Sequence, residues 1–221
     1  MVNRIPEPEL MNDPAQAAAY AAADFEAPHN HFIELFAACF PGERVTGRVL
    51  DLGCGPGDIA LRFARAHPGC EVEGVDGAVA MLAAGEARLA ASGLAGRVRL
   101  RRAYLPDDSL PRAAYHTVIS NSLLHHLRDP STLWQAVRHA AAPGAAVLIM
   151  DLRRPDSRPQ AEALVADYAA GEPPVLQRDF FHSLLAAYRV EEVVEQLAVA
   201  GLPLAVEQVS DRHLLVHGRM P

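Results

Sequence analysis

The chain has 221 residues, half of them hydrophobic, a formal net charge of −7, and 20 basic residues that are all arginine. That length supports one sizeable core without a second domain, no apolar run reaches membrane length, and no signal-peptide pattern opens the chain, so one cytoplasmic enzyme domain is expected. The missing lysine excludes Schiff-base chemistry and a Walker lysine, the acidic balance argues against nucleic acid, and the scattered Cys39, Cys54 and Cys70 suggest neither disulfides nor a metal site.

In chain order, residues 14–23 read as an alanine-rich helix and 30–40 as an amphipathic one carrying Phe32, Leu35, Phe36 and Cys39. A short apolar strand over 46–52 and a helix over 59–66 place Gly53, Gly55 and Gly57 where strand becomes helix. A second strand, 71–76, ends in Asp76. A third, 97–101, has the alternating arginines of a solvated edge. The fourth, 116–120, runs into Asn121-Ser122-Leu123-Leu124-His125-His126. Asp129 as N-cap and Pro130 at the first helical position open a helix that leads to a fifth strand, 145–150, ending at Asp151. A helix over 191–200 stops at Gly201, and 204–209 with 213–217 make a terminal hairpin. The alternation predicts a doubly wound α/β fold: a mostly parallel seven-stranded sheet with helices on both faces.

Glycine suits a strand-to-helix turn that a ligand approaches, because it accepts positive φ and leaves the helix N–H groups open. A dinucleotide turn needs its third glycine where Asp58 stands, and Asp58 with Asp51 would repel a pyrophosphate. The turn therefore favours a cationic ligand. Asp51-Leu52-Gly53-Cys54-Gly55-Pro56-Gly57 resembles motif I of the class I S-adenosylmethionine-dependent methyltransferases, whose cofactor carries a sulfonium and an ammonium.

The resemblance implies that Asp51 and the Gly53, Gly55 and Gly57 turn hold the methionyl end, with Cys54 as a small packing residue. Asp76, nineteen residues after Gly57, takes the ribose diol. Gly77 to Leu82 is similar to the family's Asp-x-Ser-x-x-Met-Leu, so Met81 and Leu82 flank the adenine, with Ala78 in place of the serine. Residues 102–106 depart from the family's Gly-Asp-Ala before Leu-Pro. Ala103 stands where an acid bonds the adenine amine, leaving Tyr104, a backbone carbonyl or Asp107 as substitutes. Asn121, Ser122 and Leu123 line the transfer site, and the last strand inserts antiparallel.

Two additions surround the core at 45–151: a helical cap, 1–44, and a segment after strand five, 152–190. Both are expected to form a substrate lid, ahead of a C-terminal helix and hairpin at 191–221. By resemblance, Tyr20 closes over the cofactor. The lid carries Arg153, suited to fork a substrate carboxylate or phosphate, and Tyr188. Candidate bases are His125, then His182, then His29. The implied activity is methyl transfer from S-adenosyl-L-methionine to a small molecule at oxygen or nitrogen, releasing S-adenosyl-L-homocysteine, by a monomer or homodimer with no nucleic-acid or membrane partner. The alternatives are cyclisation or charge stabilisation on the same fold, or cofactor binding without catalysis.

Overall fold

A computed structural model describes residues 2–221. Seven strands form one sheet: β1 (Gly47–Leu52), β2 (Cys70–Asp76), β3 (Val98–Arg102), β4 (Tyr115–Asn121), β5 (Ala141–Leu152), β6 (Ala205–Gln208) and β7 (His213–Arg219). Their order is β3-β2-β1-β4-β5-β7-β6, parallel throughout except that β7 inserts antiparallel between β5 and β6. The helices are α1 (Pro14–Ala22), α2 (Glu26–Cys39), α3 (Asp58–Ala66), α4 (Val79–Ser92), α5 (Ser131–Ala140), α6 (Arg158–Tyr168), α7 (Pro174–Ala186) and α8 (Val190–Ala200), with a short 3-10 turn at Leu124–His126.

The pleat sorts alternate residues of the central strands to two cores. Leu50, Leu52, Val118, Val147 and Ile149 pack with Trp134 and Val137 of α5 and Val193 and Leu197 of α8. Val49, Ile119 and Leu148 pack on the opposite face with Phe32 and Phe36 of α2, Phe63 of α3 and Leu82 and Leu89 of α4. Burial on both faces explains why β5 is apolar from Ala145 to Met150 without interruption. The edge strand β3 alternates instead, and its arginines close the edge: Arg97 donates to the carbonyls of Ala64 and Cys70, and Arg101 pairs with Glu73 and Asp107.

Local departures from expectation have identifiable causes. Helix α5 starts at Ser131, because Asp129 bonds the Ser131 amide as a turn and Pro130 takes the cap position. Strand β5 begins at Ala141, where an irregularity between Tyr115 and Thr117 lets Ala141 pair with Tyr115. Helix α2 begins at Glu26, ahead of the apolar stripe that announced it.

The two additions meet above the carboxyl end of the sheet. Helix α1 lies against α4 and α7, and Gln16 donates to Asp179 across the α1–α7 contact at 2.7 Å. An extended strap before α1 runs along α7 and the 3-10 turn. Its anchors are Arg4, which donates to the carbonyls of Ala186, His125 and Leu127, and the amide of Ile5, which donates to Leu185. Among the described residues no helix is long and apolar enough to cross a membrane.

Candidate active site

A cavity of about 1230 Å3 opens at the carboxyl ends of β1, β2 and β4, under α1, α2 and α7. Its floor is the glycine turn. Gly53, Gly55 and Gly57 have φ of 71°, 51° and 74°, in the left-handed region that a Cβ disfavours. A Cβ on Gly53 would also lie 2.8 Å from Leu123, so this backbone packs tightly on the loop after β4. Gly57 lies behind the cavity wall, where it caps α3 against Leu100.

Two carboxylates face this turn. Asp76 accepts from the amides of Gly55 at 2.8 Å and Ala78 at 2.7 Å and faces the cavity. Asp51 is buried, and neither of its oxygens has a hydrogen-bond partner among the described residues. Burial and the neighbouring Asp76 push its carboxyl up to about 8, against the Ala60 amide, which favours the ionised form. A buried acid without a partner is costly unless a donor or cation meets it.

Asp58 plays a different part from the one its position suggests. It receives His29 at 2.6 Å, Arg62 at 2.6 Å and Arg88 at 3.2 Å, and Arg88 also donates to the carbonyl of Ala21. Although burial opposes ionisation, these cationic and hydrogen-bonding neighbours hold the Asp58 carboxyl far below the usual range. Its charge is therefore consumed in tying α1, α2 and α4 to the turn, and the acids left to meet a ligand are Asp76 and Asp51, which a bound cation would drive to ionise. The same contact engages His29 Nδ1, so His29 serves as an anchor for the cap.

Gly77, Ala78, Met81, Ala103 and Tyr104 form one wall of the cavity, with Tyr20 above Ala78 and Met81. Burial and the carboxylates of Asp58, Asp76 and Asp151 push the Tyr20 phenol up to about 12, so it acts as a neutral donor. A Cβ on Gly77 would meet Leu10 at 2.8 Å and the Tyr104 ring at 3.1 Å, so these two side chains pack directly on the glycine backbone. Two expected adenine contacts are corrected. Leu82 faces the core beneath α4, and Asp107 is spent on Arg101 and Ser109. Cys54 is buried, with its thiol raised well above the usual range by that burial, and packs on Gly74, which fits a filler.

The opposite wall begins at Asn121 and Ser122. Ser122 sits at φ 59°, a strained value for a non-glycine residue, and turns the chain into the 3-10 segment. There the buried His125 places Nδ1 2.6 Å from Asp151, which also accepts from the amides of Leu124 and Leu152. His125 Nε2 faces Glu7 of the strap at 3.5 Å, and His126 Nδ1 lies 3.2 Å from the same oxygen. Despite its burial, Asp151 and Glu7 raise the His125 pKa, whereas burial and His125 push His126 down to about 3. His182 lies exposed at the rim.

Arg153 and Tyr188 do not line the cavity. Arg153 follows β5 away from it, its amide bonding Arg212 and its guanidinium approaching the Asp211 carbonyl at 3.4 Å. Tyr188 is buried beneath Arg4, 4.0 Å from the guanidinium, and donates to Leu127. Glu7 escaped the sequence reading because an isolated acid in an irregular strap has no periodicity or motif. Asp151 was visible only as the end of a strand, and no spacing rule links 7, 125 and 151.

Residues 50–147 match a family model described as a methyltransferase domain. An uncharacterized protein of Synechococcus is 27% identical over 178 residues, 75% of this chain and 42% of that one. An uncharacterized methyltransferase of Mycobacterium bovis is 32% identical over 110 residues, 50% of this chain and 53% of that one. The chain thus spans about half the length of the curated relatives it matches. The crystal structure of a SAM dependent methyltransferase from Aquifex aeolicus superposes with a TM-score of 0.70 at 18% identity, covering 95% of this chain and 99% of that one. Sheet order, glycine turn and family match agree: residues 50–147 resemble a methyltransferase domain, and the chain has the fold of the class I S-adenosylmethionine-dependent methyltransferases.

Proposed function

We propose that the protein transfers a methyl group from S-adenosylmethionine to an oxygen or nitrogen of a small molecule. The observation that carries this reading is Asp51, a buried carboxylate left without a partner beside Asp76 at a left-handed glycine turn. Such a pair fits a ligand that brings positive charge and hydroxyl groups and repels a pyrophosphate. Asp51 and the amides of the turn would hold the methionyl end, Asp76 the ribose, and Met81, Ala103 and Tyr104 the adenine, with Tyr20 closing above.

When bound, this cofactor supplies an electrophilic methyl group. The chain's own task is to align a nucleophile and exclude water. A cavity of about 1230 Å3 exceeds the roughly 300–1,000 Å3 of single-ligand sites, which supports a second molecule beside the cofactor. The acceptor would stand between Asn121, Ser122 and the wall of Glu7, His125 and His126. His125 is the acceptor-orienting residue in this reading, its ring fixed by Asp151. The cap at 1–44 and the segment at 152–190, including His182 at the rim, act together as the lid.

The test is calorimetric titration with S-adenosylhomocysteine, with NAD as control and Asp76→Ala as a second sample, followed by product analysis with candidate acceptors. Binding that collapses in the variant, with S-adenosylhomocysteine formed one-for-one with methylated product, is the expected result. Methylthioadenosine as product, or acceptor conversion without cofactor turnover, would replace methyl transfer by cyclisation or charge stabilisation. No binding to folded, cofactor-free protein would remove the reading altogether.

A further inference from the structure

We propose that Glu7, His125 and His126 form a binding site for a zinc-type divalent cation on the acceptor wall of the cavity. Three features converge. First, one ligand atom each of Glu7, His125 and His126 all lie within 4.8 Å of one another, and Glu7 Oε1 stands 3.5 Å from His125 Nε2 and 3.2 Å from His126 Nδ1. A tetrahedral ion with bonds of about 2.0–2.1 Å subtends about 3.3–3.4 Å between ligand atoms, so both carboxylate-to-imidazole separations already match coordination spacing.

Second, the ligand atoms are oriented from outside the cluster. His125 donates Nδ1–H to the Asp151 carboxylate at 2.6 Å, which turns Nε2 toward Glu7, and a cation binding there would displace the Nε2 proton. His126 turns Nδ1 toward the same Glu7 oxygen at 3.2 Å, and that buried nitrogen has no other hydrogen-bond partner among the described residues. Two imidazole nitrogens and a carboxylate oxygen thus converge on one point, and a cation there takes the place of the proton that His125 otherwise holds toward Glu7. A cation on that point satisfies all three. The partner of His125 is the carboxylate–histidine arrangement that orients metal-bound imidazoles, and Ser183 fixes Glu7 in the same way, donating to Oε1 at 3.0 Å.

Third, all three residues line the cavity, so the ion would keep open positions facing the acceptor. Two imidazoles and one carboxylate suit zinc and other late divalent ions over magnesium or calcium, which prefer oxygen donors. An acceptor oxygen would then be held as a further ligand. The ion site stands on Glu7, His125 and His126 alone, and its role toward an acceptor rests on the methyl-transfer reading.

The experiment is titration of chelator-stripped full-length protein with Co2+, followed by visible absorption, and with Zn2+, followed by calorimetry. The expected result is one ion per chain with a visible band of nitrogen and oxygen ligation. Glu7→Gln and His126→Ala should each weaken Zn2+ by at least about 100-fold, and Asp151→Asn, acting through His125, by about 10–100-fold. A second grouping, Cys39, Glu207 and His217, serves as the control. Cys39→Ser should leave binding unchanged, and the wild-type spectrum should lack a thiolate-to-cobalt band, a readout that needs no variant to fold. No visible band, a thiolate band, or undiminished binding in both ligand variants would overturn the proposal. Titration of the same samples with S-adenosylhomocysteine separates this failure from failure of the cofactor reading.

Discussion

Replacing Asp51 by asparagine should stabilise the protein without cofactor while abolishing its affinity for one. The carboxyl moves from 3.8 in the unfolded chain to about 8 in the folded one. Because the folded value is raised, its favourable contribution is complete below 3.8 and is lost as pH rises through about 8. At pH 7 the loss is on the order of 4 kcal/mol, at about 1.4 kcal/mol per pH unit. Asparagine removes that linkage but leaves a buried amide whose unmade hydrogen bonds cost about 1–3 kcal/mol. The net gain is roughly 1–3 kcal/mol, a rise in Tm of roughly 2–12 °C at this chain length. Thermal denaturation at about pH 5 and about pH 7.5 should show wild-type stability falling between the two and the variant nearly level. Calorimetry with S-adenosylhomocysteine should show the variant's affinity lost. A variant less stable than wild type at the higher pH, or one that binds normally, would refute the argument that Asp51 is held unpaired for a ligand.

Asp58→Asn should act in the opposite sense. Its folded pKa is depressed, so its contribution is present above 3.8 and lost as pH falls below that value; the variant should lose roughly 2–3 kcal/mol at neutral pH and show a flatter acid limb in urea titrations. Tyr104→Ala should weaken S-adenosylhomocysteine by about 1 kcal/mol, roughly fivefold, for loss of the ring against the adenine wall. Its Tm should barely move, because the side chain is half-exposed. Arg153→Ala should leave cofactor affinity and turnover within about twofold, because its side chain points away from the cavity; a tenfold or larger fall in turnover would return it to the substrate site.

Much of the architecture was legible because it rests on local rules. Val49, Leu50 and Leu52 before three glycines spell strand, turn and helix by periodicity and φ preference. The spacing to Asp76 follows from the length of one helix between adjacent parallel strands. Gly201 ended α8 where expected, at φ 66°. Asp51, Asp76, Met81, Asn121 and Ser122 reach the cavity because each follows directly from a strand end or opens a helix in the repeating unit.

The misses lie where the outcome depends on distant chain. Nothing local tells Arg153 or Tyr188 which way to point after β5, and the inserted β7 and Arg4 decided it. Asp58 looked like a charge offered to the ligand until His29, Arg62 and Arg88, from three different helices, converged on it. Glu7 meets His125 across more than a hundred residues of chain. The sequence by itself determined the order of strands and helices, the glycine turn and the acids at its strand ends, since these need only backbone preference and repeat length. Which charges stay free, which histidine is held by which acid, and what closes over the cavity were decided by tertiary structure, because long-range electrostatics and packing act between side chains that no sequence spacing relates.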